Sequence, residues 1–136
     1  MRVYERPVRF EEVDAAQLVF FPRFLGYCHE AMEALFDDVE GGYVHMVRDR
    51  KIGVPAVHVE CDFKSPLRYG DVARIETTVA KLGRTSVTFR YALSRASDGA
   101  HVASITHVCA VSDLSALRAI PIPDDIRAAL ERHLTA

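Results

Sequence analysis

After Gly53 and Pro55 the apolar pattern of this chain changes from a helical period to a period of two, and it keeps that period almost to the end. Val57, Val59, Cys61 and Phe63 alternate with His58, Glu60 and Asp62, the pattern of a strand with one covered face. The alternation returns over 72–81, where Ala73, Ile75, Thr77 and Val79 share a face, and over 85–94, where Val87, Phe89, Tyr91 and Leu93 do. Ser65-Pro66, Tyr69-Gly70-Asp71 and Gly83 separate these segments, and Asp98-Gly99 predicts a hairpin into a last strand over 101–112. Strands joined this way build an antiparallel sheet, and such a sheet must bury one face against another layer.

The cover for that face lies upstream. Pro22 suits the first turn of a helix, where the N–H it lacks has no intrahelical partner anyway. From there Phe24, Cys28, Met32 and Leu35 recur at helical spacing, and Ala31 and Phe36 widen the stripe. Gly41-Gly42 stop this helix, and 43–50 has room for a further helical turn or two. Residues 3–10 alternate Tyr4, Val8 and Phe10 as a first strand, with Pro7 marking an edge or a bulge. Pro121 and Pro123 precede a short terminal helix with Ile126, Leu130 and Leu134 on one stripe. The predicted architecture is α+β: a long central helix of about four turns wrapped by a five-stranded antiparallel sheet. It fills one domain over residues 1–136. One helix covers one face only, and strand 57–63 carries little besides the charges of its outer face to deter pairing. Self-association is therefore expected, as a homodimer or homotetramer.

Composition narrows the partners. Seventeen basic residues against nineteen acidic ones exclude nucleic acid as the main partner, because a phosphate backbone needs a basic surface. A small polyanion needs only a local basic cluster. No apolar run approaches the ~20 residues of a membrane span, and the first residues lack the apolar stretch of a secretory signal. A cytoplasmic protein is expected, with no membrane partner. Cys28, Cys61 and Cys109 are odd in number and form no CxxC pair, so they read as small core residues in a reducing compartment.

Most catalytic signatures are absent: no GxSxG, no Gly-rich phosphate loop before a helix, no HExxH. The six histidines lack ligand spacing, so no metal is expected; His58, on the polar face of its strand, is kept as a secondary candidate. The segment from Val8 to Phe24 stands apart. It places Asp14 in a loop that runs into apolar surroundings, a few residues before a helix start. Burial would raise the pKa of that carboxylate, and nearby N–H groups would lower it. Free N–H groups at the helix start could hold a developing oxyanion. The plainer alternative is that Asp14 only caps the turn.

This stretch resembles the active-site motif of the 4-hydroxybenzoyl-CoA thioesterase family of hotdog-fold proteins. The family has an Asp-x-Asp-x-x-Gly-like loop, an apolar and aromatic step, and a helix that starts at Pro-x-Tyr or Pro-x-Phe. Here Glu12-Val13-Asp14 stands for the first part and Val19-Phe20-Phe21-Pro22-Arg23-Phe24 for the second. Val54-Pro55, Pro66-Leu67-Arg68-Tyr69-Gly70-Asp71, Gly83-Arg84-Thr85-Ser86 and Ile120-Pro121-Ile122-Pro123 extend the likeness over nearly the whole chain. The resemblance implies a hotdog fold, active sites between subunits, and hydrolysis of an acyl-CoA thioester without metal or redox cofactor, coenzyme A being part of the substrate. Carried over by position, Asp14 matches the catalytic carboxylate, as nucleophile or as base for water. Phe21 matches the residue whose backbone N–H polarises the thioester carbonyl. Arg84 and Ser86 match positions that contact the nucleotide and phosphate part of coenzyme A in some members; the plainer alternative for both is a solvated turn.

Two departures stand out. Gln17 occupies the usual glycine position, where glycine permits a backbone shape that strains other residues, and Glu12 replaces the first Asp. Phe20, Phe21 and Phe24 suit an aryl or medium acyl group, and equally plain core packing. Two rivals share the scaffold: a thioesterase for acyl groups on an acyl-carrier protein, and a non-catalytic acyl-CoA-binding protein.

Overall fold

The computed structural model describes residues 1–135. Pro7 closes β1 (Arg2–Pro7) short of the expected 3–10 span, and a single 3-10 turn (Phe10–Glu12) follows, leaving Phe10 in solvent. α1 (Arg23–Leu35) begins directly after Pro22 and buries Phe24, Tyr27, Cys28, Ala31, Met32 and Leu35, the expected stripe with Tyr27 added. It is 13 residues rather than one long rod. Helical bonding tightens at Phe36–Asp38 into a 3-10 turn, and Gly41, left-handed at φ 80°, leads into α2 (Gly42–Arg48). A side chain at Gly41 would collide with His45, which fixes glycine there.

The sheet follows. β2 (Ile52–Gly53) precedes β3 (Ala56–Phe63), β4 (Val72–Leu82), β5 (Ser86–Arg95) and β6 (His101–Ala110). The main sheet runs β1-β4-β5-β6-β3, each neighbouring pair antiparallel, with the expected meander at its centre. Ala73, Ile75, Thr77 and Val79 of β4 and Val87, Phe89, Tyr91 and Leu93 of β5 are all buried, as their alternation requires. The pairs Val87↔Cys109, Phe89↔His107 and Tyr91↔Ile105 carry this inner face onto β6. Val59↔His107, Cys61↔Ile105 and Phe63↔Ala103 carry it onto β3.

Sequence alternation fails at one point in β3. The register shifts between Ala56 and His58, so Ala56 takes the place opposite Cys109 that strict alternation assigns to Val57. β3 is also an edge strand, bonded only to β6. Its apolar residues are uncovered in the single chain: Val57 is 64% exposed and Phe63 47%.

The far end of the chain was only partly legible. The expected strand over 101–112 divides at Val111, and β7 (Ser112–Asp113) joins β2 and β8 (Arg118–Ala119) in a small second sheet. α3 (Asp124–Glu131) buries Ile126, Ala129 and Leu130. Leu134 lies past its end, bridged to Val79 rather than on the helical stripe. Among the described residues no helix is long and apolar enough to cross a membrane.

Candidate active site

Asp14 sits at the tip of a short hairpin. Val13 and Val19 form a bridge, the Asp14 N–H donates to the Leu18 carbonyl at 2.9 Å, and the Gln17 N–H donates to the Asp14 carbonyl at 2.9 Å. A turn this tight uses a left-handed residue, and Gln17 fills that role at φ 66°. The glycine-like shape is thus kept without glycine, at a strain of about 1 kcal/mol. Asp14 Oδ1 accepts the Ala16 N–H at 2.9 Å and the Leu18 N–H at 3.5 Å. The capping role is therefore real. It occupies one carboxylate oxygen, and Oδ2 accepts no hydrogen bond among the described residues.

The base of the hairpin is fastened by a buried charge network. Glu12, 4% exposed, accepts Arg6 Nη1 at 3.0 Å and the Tyr27 hydroxyl at 2.9 Å on Oε1, and Arg6 Nη2 at 2.6 Å on Oε2. Its Oε1 also takes the Arg9 N–H at 2.8 Å. Arg6 Nε turns to Glu30 at 2.9 Å, which also accepts the Tyr4 hydroxyl. Burial alone would raise the Glu12 pKa; the Arg6 bonds, the Arg9 N–H and the Tyr27 hydroxyl outweigh it and hold the carboxyl below its ordinary value. One side chain so joins β1, the loop and α1. Its carbonyl accepts the Phe20 N–H at 3.0 Å, closing the hairpin beside Phe21.

Phe21 stands where the chain turns into α1. Its carbonyl accepts the Phe24 N–H at 3.2 Å, while its own N–H donates to no group among the described residues. Asp14 opens into a cavity of about 650 Å³ whose rim includes Gln17, Phe10, Arg68 and Tyr69. The Phe10 and Tyr69 rings meet edge to face at 5.7 Å. Sequence reasoning passed over Arg68 and Tyr69, although both lie in the Pro66–Asp71 turn it singled out. It passed over Arg6, Tyr27 and Glu30 too. An arginine inside a first strand was the available signal, since an arginine that is buried there needs carboxylate partners.

Arg84 and Ser86 are not brought to Asp14. They lie at the β4–β5 turn, whereas Asp14 follows β1, whose Pro7 end pairs with Val72 at the opposite end of β4. Eleven residues of β4 separate the two, roughly 33 Å of strand. Arg84 is exposed, and Arg127 Nη2 donates to the neighbouring Gly83 carbonyl at 2.7 Å. His58 also stays apart, on the outer sheet face at 2.8 Å from Glu60. Cys28 and Cys109 are buried thiols, and burial pushes Cys109 up to about 12, so neither is a ready nucleophile. Among the described residues no group of three or more His, Cys, Asp or Glu side chains gathers as a metal site.

Known proteins share this scaffold over nearly its full length. The 1,4-dihydroxy-2-naphthoyl-CoA hydrolase of Nostoc punctiforme is 32% identical over 130 residues, 96% of this chain and 86% of that one. Its counterpart in Synechococcus elongatus is 31% identical, over 91% of this chain and 90% of that one. Among solved structures, a gentisyl-coenzyme A thioesterase superposes with a TM-score of 0.83 at 29% identity, over 93% of this chain and 99% of that one. A 1,4-dihydroxy-2-naphthoyl-CoA thioesterase from Synechocystis superposes with a TM-score of 0.85 at 25% identity, over 95% and 94%. The relatives' names bear out the coarser part of the sequence resemblance, a hotdog thioesterase, and carry aryl groups other than 4-hydroxybenzoyl. Residues 8–130, from the end of β1 to α3, match the Thioesterase-like superfamily as a unit, hairpin, helix and sheet together, and the chain belongs to that superfamily.

Proposed function

We propose that this protein hydrolyses an aryl-CoA thioester to the free acid and coenzyme A, with Asp14 and Phe21 at the reacting carbonyl. The observation that carries this reading is the unbonded Phe21 N–H at the start of α1, directly after the fastened hairpin that carries a carboxylate with one free oxygen. The N–H can donate to the carbonyl oxygen as it gains negative charge; one such donor is typically worth ~3 kcal/mol of barrier. The free Asp14 oxygen either attacks the carbonyl carbon or takes the proton of an attacking water. In both routes the C–S bond breaks, the sulfur leaves as thiolate and takes up a proton, and water supplies the oxygen of the product acid. Relatives named for dihydroxynaphthoyl-CoA and gentisyl-CoA support an aryl acyl group. The test is a hydrolysis screen over short, long, branched and aryl acyl-CoAs, read by thiol release. Fastest turnover of aryl thioesters is expected, and a protein inert towards every CoA and carrier-protein thioester overturns the reading.

The separation of Arg84 and Ser86 from Asp14 argues for a site shared between two copies. Phe63 ends β3 beside Phe24 of α1, ring centroids 5.3 Å apart, so that end of β3 is the Asp14 end. Ala56, at the other end, pairs with Cys109, which pairs with Val87 next to Ser86. If β3 pairs antiparallel with β3 of a second copy, the partner's β4–β5 turn arrives at the Asp14 end. That pairing also covers the open edge and the exposed Val57 and Phe63. Sedimentation equilibrium under reducing conditions should accordingly give a dimer or larger assembly, and an active monomer would refute the shared site.

The same arrangement gives Arg84 a remote role. Arg84→Ala should raise KM for a CoA thioester and leave kcat nearly unchanged, because phosphate contacts far from the carbonyl bind substrate and transition state alike. On a truncated pantetheine thioester the effect should vanish; equal losses on both substrates would separate Arg84 from the nucleotide.

A further inference from the structure

A second cavity, of about 210 Å³, lies between α1 and the last two strands of the main sheet, and its walls are apolar: Leu25 and Cys28 of α1, Ala56 and Val59 of β3, and Ile105 of β6. Two features set it apart from an ordinary packing gap. First, it lies directly down the helix from Phe21. Leu25 and His29, one step of four residues apart in α1, share a helix face and border the cavity. Phe21 lies in the turn that leads into α1, four residues before Leu25, so the cavity opens just down the helix from it. An acyl group whose carbonyl oxygen meets the Phe21 N–H and whose body follows this stripe enters the slot.

Second, the slot has a polar end. Tyr91 and His107, both inward on paired central strands, line it with the Tyr91 hydroxyl 3.0 Å from His107 Nδ1. Cys109 Sγ lies 3.2 Å from Nε2, so both ring nitrogens have a partner whichever tautomer the ring holds. The Tyr91 oxygen keeps at least one acceptor lone pair in either case. Burial, and then the nearby His29, push the His107 pKa below the ordinary imidazole value, and burial keeps the Tyr91 phenol protonated. At neutral pH the pair is uncharged, which suits it to a hydroxyl group and not to a carboxylate. The volume agrees: a dry apolar cavity of about 150 Å³ already admits a benzene ring, so one or two fused rings fit here.

The geometry points to this slot as the seat of the aryl ring, and to the Tyr91–His107 pair as the group that selects a ring hydroxyl on the acyl group. The inference rests on the reading of the protein as an aryl-CoA thioesterase and goes on to name what distinguishes its substrates. Other apolar acyl groups lack a hydroxyl to donate to the spare lone pair of the Tyr91 oxygen, and a site built to bond a hydroxyl discriminates against the analogue without one.

The experiment compares a hydroxyaryl-CoA with the same aryl-CoA lacking the ring hydroxyls, in wild-type protein and two variants of checked thermal stability. Tyr91→Phe removes one oxygen and keeps the ring. It should lower kcat/KM for the hydroxylated substrate on the order of tenfold and leave the other within about twofold, so that wild-type selectivity collapses. Leu25→Trp fills the slot from its half-exposed wall and should lower kcat/KM for both aryl substrates, again on the order of tenfold. Equal effects of Tyr91→Phe on the two substrates overturn the assignment of the pair. Unchanged rates in Leu25→Trp overturn the slot itself, with the thioesterase reading left standing. A wild-type protein that hydrolyses neither thioester, nor any other, overturns both together.

Discussion

Asn in place of Asp14 is expected to lower kcat for an aryl-CoA thioester by at least ~100-fold, the low end for loss of general-base assistance. The hairpin makes this substitution unusually clean. Asp14 Oδ1 accepts the Ala16 and Leu18 N–H groups, and an Asn side-chain oxygen can accept the same two, because Asn and Asp cap about equally well. What Asn lacks is the negative charge on the second oxygen. If Asp14 only holds the turn, the variant keeps both stability and rate; if it acts on the substrate, stability stays and rate falls. kcat and thermal unfolding measured on one preparation separate the two. Retained rate removes Asp14 from the chemistry.

Much of the fold could be read from periodicity because its elements obey one rule each. β4 and β5 are central strands with one face under α1, so every second residue is buried from Ala73 to Val79 and from Val87 to Leu93. α1 lies along that face, and its stripe from Phe24 to Leu35 follows. Periodicity fails where another constraint intervenes. Tyr27 was left off the stripe read from the sequence, yet it is buried, with its hydroxyl on Glu12 across the network. Val57 breaks the alternation because β3 shifts register there, and a shift of one residue leaves no mark in a list of apolar positions. β2, β7 and β8 are two residues each, too short to carry any period.

The candidate site was legible in a different way. Asp14 and Phe21 were singled out through the resemblance; Asp14 lies on the hairpin and Phe21 just past it, but their distance from Arg84 and Ser86 is a property of the sheet and could not be read from the chain. Gln17 shows the limit most plainly. A non-glycine residue at a glycine position suggested a changed loop, whereas the backbone adopts the left-handed turn regardless, at φ 66°. Hydrogen bonds from Asp14 and across to Leu18 hold that turn, and they are invisible to composition.

The departure at Glu12 has a larger consequence, and Arg6→Met tests it. Arg6 has carboxylates on two sides, Glu12 at 2.6 Å and Glu30 at 2.9 Å, and its side chain is 7% exposed. Removing it leaves Glu12 buried with only the Arg9 N–H and the Tyr27 hydroxyl for partners. Breaking a buried ion pair from one side typically costs about 3–5 kcal/mol, a substantial share of the roughly 5–15 kcal/mol that holds a small domain. In wild-type protein the Glu12 pKa is depressed, so its contribution is present above the unfolded-state value near 4.3 and is lost as pH falls through the lower folded value. In Arg6→Met the sign reverses. Burial without the guanidinium raises the Glu12 pKa, so the variant's deficit is largest at neutral pH and shrinks as Glu12 takes up a proton in mild acid. Adding Glu12→Gln to Arg6→Met removes the orphaned charge and should restore a large part of the loss at pH 7. Urea unfolding of the two single variants and the double variant at pH 7 and pH 5 reads all of this. A deficit that is independent of pH, and untouched by the second substitution, would mean that Arg6 contributes packing alone. The hairpin bearing Asp14, and Phe21 just past it, would then owe their position to backbone bonds rather than to the charge beneath them.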